Sequence, residues 1–170
     1  DDVNADGNTI DLTATGAVTI DGVVDDLSGS VSISTGGAIT IAQAASAAGS
    51  ITLVSSAGAI STQEIIAGTD VSVVATGNIL LGANTTASSG AVTLLSDSSI
   101  TSIGTVNANR DATIIATGNV TLGGSGLAGL LTGGDATILA NTGDVTVANV
   151  TAGGDAVLFS LQGMLSQEKD

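Results

Sequence analysis

Three aspartates, Asp111, Asp135 and Asp155, recur 24 and 20 residues apart, each directly before an apolar, alternating string. If those strings stack in register, the carboxylates sit about 5 Å apart, the spacing of neighbouring strands, where like charges repel. Two chemistries answer that repulsion. Calcium, an oxygen-seeking cation, would bridge the column, and it is the one cofactor the sequence suggests. Alternatively each carboxylate accepts backbone N–H bonds at its own turn, as Asx turns do. The turn role is the preferred reading. Asp70 occupies the equivalent place, and Arg110 stands beside the column, where it offsets part of the charge. Asp25 and Asp26 form the other carboxylate pair, but glycoside hydrolysis needs two carboxyl groups facing each other across a cleft. Sequence neighbours do not provide that, so no catalytic residue is assigned.

The rest of the composition narrows the chemistry further. Of 170 residues, 16 are acidic and two basic, giving a net charge of −14, and Cys and His are absent. That removes thiolate and imidazole catalysis and the usual zinc ligands. Arg110 and Lys169 are the only cations, too few for the clustered phosphate contacts that nucleic-acid binding requires. Apolar residues make up 43% of the chain, which does not fit the composition of disorder. A single Phe is the only aromatic residue, so any core must be built without large rings.

The elements that position these residues repeat. Taking the first inward residue of each alternating string gives Ile10, Val31, Ile51, Val71, Val92, Ala112, Ala136 and Ala156, at intervals of 21, 20, 20, 21, 20, 24 and 20. Two places later stand Leu12, Ile33, Leu53, Val73, Leu94, Ile114, Ile138 and Leu158. A second apolar position follows at Val18, Ile39, Ile60, Ile79, Ile100, Val120, Val145 and Met164. Period-two alternation of β-branched residues reads as strand. Between the two strands lies a small-residue corner such as Thr76-Gly77, and a less regular third side closes each unit. The pattern predicts an all-β fold, a right-handed parallel β-helix of about eight coils of 20–24 residues. At about 4.8 Å per coil the rod is roughly 35 Å long. Ladders of Val, Ile, Leu and Ala fill its narrow interior.

The whole chain, residues 1–170, reads as a single domain. The longest interval places an outward loop at 123–134, and the polar tail 166–170 breaks the pattern. Seven of the 14 Asp residues precede Leu27, predicting a polar, self-repelling first coil. No basic-then-apolar signal pattern and no transmembrane segment is present. Three Asn-X-Thr triplets begin at Asn84, Asn119 and Asn149, as chance allows in a chain rich in Asn and Thr.

Outward positions become columns. One is hydroxyl-rich, running through Ser32, Thr52, Ser72, Thr93, Thr113 and Thr137, residues that suit exposed strand. Its neighbour is apolar: Val54, Val74, Leu95, Ile115, Leu139 and Phe159. Exposed together, these six form a lateral contact strip about 24 Å long. A bend in the chain after Leu53 and its equivalents would instead turn them inward. Ile10 and Ala156 mark the coils at the two stacking ends, where open strand edges invite pairing.

The strings TAGGDAVL (Thr151–Leu158), TGGDATILANTGDVTV (Thr132–Val147) and AGTDVSVVATGNILL (Ala67–Leu81) resemble the repeats of filamentous haemagglutinin-like bacterial exoproteins, the two-partner-secretion adhesins. The resemblance covers nearly all of the chain. It implies a right-handed β-helix exported across an outer membrane, hence a secreted or cell-surface location. It also implies a role as a fibre or adhesin shaft in adhesion or biofilm, with a cell-surface or matrix partner. The expected partners are copies of the chain itself or neighbouring β-helix segments. A binding module acting through the loop or the apolar strip is the alternative, with a carbohydrate-active enzyme or phage-tail spike ranking below it.

Overall fold

The computed structural model describes residues 2–5, 9–123 and 129–167. It is all-β: three parallel sheets of eight strands each, stacked as a β-solenoid of about seven turns. Each coil contributes one strand to each side. Coil four, for example, runs Ile65–Ala67 on side A, Val71–Ala75 on side B and Ile79–Leu81 on side C. Coil five continues with Thr85–Ala87, Val92–Ser96 and Ile100–Ser102. Side B is the widest because its strands have five residues, against three on the other sides.

Register follows the sequence columns. Val71 pairs with Ile51 on one side and Val92 on the other, and Val73 pairs with Leu53 and Leu94. In the inner coils the strands alternate buried and half-exposed residues, so each inward column is a continuous apolar ladder. Ile51, Leu53, Ile60, Ile65, Leu94, Ile100 and Ile114 are all fully buried. This answers the missing aromatics: a three-sided tube a few side chains wide is filled by branched aliphatics and alanine. The third side is more regular than its sequence suggests, forming an in-register sheet from Val3–Ala5 to Val150–Ala152.

Some inward positions are polar, and the corners satisfy several of them, whereas Oγ1 of Thr62 and of Thr85 is buried with no partner among the described residues. Ser55 and Ser96 close their side-B strands facing inward, and their hydroxyls donate to the carbonyls of Gly37 (2.7 Å) and Gly77 (2.8 Å) in the preceding coil. The glycine is needed for another reason at Gly58, where an added Cβ would stand 2.6 Å from the Ala38 nitrogen of the coil beneath.

Four details depart from the sequence reading. The last strand of side C is Leu165–Gln167, with Leu165 paired to Val145; Met164, expected inward, is instead 71% exposed. The tail expected to break the pattern at Ser166 still belongs to this strand through Gln167, and residues 168–170 lie outside the described residues. The loop expected at 123–134 is shorter at its far end, because Leu130–Thr132 is a side-A strand paired with Val106–Ala108. Residues 124–128 of that loop are outside the described residues. The acid-rich beginning, expected as a polar, self-repelling first coil, extends into coil two, where Asp26 is fully buried.

Candidate functional site

Asp111, Asp135 and Asp155 do fall in one column, at the corner leading from side A into side B, and all three are exposed. Their geometry is that of a backbone ladder. The Asp135 N–H donates to Asp111 Oδ1 at 2.9 Å, and the Asp155 N–H donates to Asp135 Oδ1 at 2.8 Å. Asp70 does the same for the Ala91 N–H at 2.8 Å. The reason lies in the ladder's first rung. The Ala91 carbonyl accepts the Val71 N–H at 2.9 Å, but its own N–H points back to a coil whose strand has not yet begun. A side-chain oxygen from the coil below fills that vacancy. The capping expected within each turn therefore runs between coils. Among the described residues no group of three acidic side chains is placed to hold a metal ion, and Oδ1 of Asp111 and of Asp135 is engaged by backbone N–H groups, the turn-type role preferred from the sequence.

The same device recurs at the corner from side B to side C, where sequence reasoning missed it. Asn78 Oδ1 accepts from the Ser99 N–H (3.2 Å), Ser99 Oγ from Asn119 (3.1 Å), Asn119 Oδ1 from Asp144 (2.9 Å) and Asp144 Oδ1 from Met164 (2.7 Å). The available signal was an oxygen-bearing residue immediately before the second strand in four successive coils. Asn84 Oδ1 likewise accepts the Thr105 N–H at 2.9 Å. Two of the three Asn-X-Thr asparagines thus serve the ladder.

Asp135→Asn keeps the acceptor and removes one of three stacked charges, so stability is expected to be unchanged or slightly raised. Asp135→Ala removes the acceptor and is expected to cost about 0.5–1.5 kcal/mol. Urea denaturation checks both, and calcium is expected to leave the melting temperature of the unmodified chain unchanged.

Asp26 is a separate matter. It occupies an inward position of side A between Ala5 and Ala47 and is 0% exposed. Oδ1 accepts the N–H groups of Ser28 (3.2 Å) and Gly29 (2.7 Å) and so caps the corner into side B. Oδ2 is buried with no partner among the described residues. Thr132 holds the same column in coil seven, where Oγ1 accepts the Gly134 N–H at 3.3 Å and donates to the Arg110 carbonyl. Asp26→Thr is expected to keep the cap while removing the orphan oxygen, stabilising the chain by about 1–3 kcal/mol. A rise in the urea midpoint at constant slope checks it; a fall would mean that Oδ2 is satisfied.

The apolar strip faces outward. Val54, Val74, Leu95, Ile115 and Leu139 are half-buried, stacked in register, and Phe159 is 53% exposed. The expected alternative, a bend turning them inward, does not occur: the inward places on either side are taken by Val73 and Ala75 and their equivalents. Val54, Val74 and Leu95 floor a shallow groove walled by Ser56, Thr76 and Asp97. Ile10 and Ala156 lie in the two terminal strands of side B. The ends differ: Ile10 is buried, whereas Ala156 is exposed.

Comparison with protein-family models, with curated proteins and with solved structures finds no match to this chain. Among the described residues no helix is long and apolar enough to cross a membrane.

Proposed function

We propose that the chain is a structural element, a β-solenoid segment of an extracellular fibre or adhesin shaft. The observation that carries this reading is the unbroken in-register pairing of all three sheets through eight coils. Its repeating unit is a coil whose top and bottom edges have the same cross-section. Each coil takes another on either edge, from the same chain or from a second copy, and length is gained by repetition alone. The side chains with hydrogen-bonding chemistry at the A–B and B–C corners are largely committed to holding one coil on the next. The repeat strings quoted above point the same way, towards the shafts of secreted bacterial adhesins, with copies of the chain or neighbouring β-helix segments as partners.

Negative-stain electron microscopy combined with a glycan-binding screen tests the reading. Elongated particles that join end to end, without saturable glycan binding, are expected. Dispersed particles that bind one glycan class saturably would overturn it in favour of a binding module.

A further inference from the structure

We propose that two copies of this rod pair laterally, antiparallel, through the outer face of side B. The proposal rests on the structural reading above and names the contact surface. Carboxylates in this chain of net charge −14 sit mainly at corners: Asp70, Asp111, Asp135 and Asp155 between sides A and B, Asp97 and Asp144 between sides B and C. The outer face of side B is free of them from coil two to coil eight. Its 14 outward residues are seven apolar (the six strip residues and Val157) and seven Ser or Thr. A second copy of the same acidic chain can approach this face and meet carboxylates only at its rim.

The area is sufficient. Five residues at about 3.3 Å by seven coils at about 4.8 Å give roughly 550 Å² per copy, or about 1,100 Å² in total. That passes the roughly 1,000 Å² below which specific interfaces become rare. The other sides have three-residue strands and one outward column each; on side C that column is hydroxyl-bearing except for Leu80.

Symmetry then fixes the arrangement. A two-fold axis in the contact plane and perpendicular to the rod keeps each column opposite itself, aliphatic on aliphatic and hydroxyl on hydroxyl from coil three to coil seven, with Ser32 and Ser34 opposite Val157 and Phe159 at the ends of the overlap. With coils two to eight overlapping, the axis passes through coil five. Leu95 meets Leu95 of the second copy, Val74 meets Ile115, and Val54 meets Leu139. Asp11, the one charged residue on this face, lies in coil one and falls outside the overlap. A parallel pair would set the two Asp11 residues at the same height. At the rim, Asp97 faces its own copy and Asp70 faces Asp111; all three are exposed, so salt screens their repulsion and strengthens pairing.

Sedimentation velocity in 20 mM and 500 mM NaCl is the test, with small-angle scattering for shape. A dimer at micromolar concentration is expected, tighter at high salt, doubled in width and close to one rod in length. Leu95→Asp places two carboxylates on the axis and is expected to weaken association by about a hundredfold or more, while Thr101→Asp on side C leaves it unchanged. Circular dichroism establishes that both variants fold. The chain has no Cys, so Ser56→Cys takes a single spin label. Antiparallel pairing offsets the two labels by about 19 Å along the rod, four coil steps, and a negligible axial offset would overturn that orientation. A monomer at several hundred micromolar in 500 mM NaCl would overturn the pairing, as would dimers indifferent to Leu95→Asp. A rod-shaped monomer would leave the structural reading standing, whereas loss of rod shape or saturable glycan binding would remove that reading itself.

Discussion

Val92→Pro is expected to divide the rod. Val92 opens the side-B strand of coil five, is fully buried, and donates its N–H to the Asp111 carbonyl of coil six at 3.1 Å. Proline has no N–H to give, and its ring fits poorly where a ladder continues on both edges. Loss of that hydrogen bond alone costs about 0.5–1.5 kcal/mol. With the packing disturbance around a buried side chain added, the expected loss is about 3–5 kcal/mol. In a solenoid each coil contacts only its neighbours, so the damage concentrates at the step between coils five and six. Urea unfolding followed by circular dichroism is expected to broaden or separate into two transitions, coils one to five and coils six to eight. A single transition displaced by less than about 1 kcal/mol would contradict the stacking account.

Leu94→Ala is expected to cost about 2–5 kcal/mol, the range for removing a fully buried leucine side chain. Leu94 is at 0% exposure, with Val73 below it and Ile114 above in the same inward column. Neither coil can collapse into the gap without breaking its backbone register. Leu12 sits in the same column of the first coil, where it has Ile33 on one side only and is half-buried. Leu12→Ala is therefore expected to cost less than half as much. Equal losses at the two positions would show that stability is not transmitted coil by coil. Denaturant midpoints of the two variants, measured together, decide it.

Much of this was legible in the sequence, because a parallel solenoid converts spacing directly into contact. The anchors from Ile10 to Ala156 sit one above another as their intervals require. Side A was not legible as a sheet. Its strands are three residues long, and its inward positions include Ala45, Ala47, Thr85, Ala108 and Asp26, which lack the β-branched alternation that marks the other sides. Asp26 escaped notice for the same reason, since a carboxylate beside Asp25 reads as surface. Its burial follows from strand alternation, which turns the second of the two inward. The role of Asp70, Asp111 and Asp135 was only half visible. Their column could be read from spacing, but the N–H groups they accept belong to the next coil, and only three-dimensional register shows this.

The central claim is that stability resides in coil-on-coil stacking, with the middle of the rod supported from both sides. Native-state amide hydrogen exchange tests it most directly. Protection is expected to peak at the ladder amides of coils four and five, such as Val71, Ile79 and Val92, and to decline towards both ends. The exposed last coil around Ala156 is expected to exchange fastest among the side-B strands. Protection that is uniform along the rod, or greatest in the last coil, would contradict it.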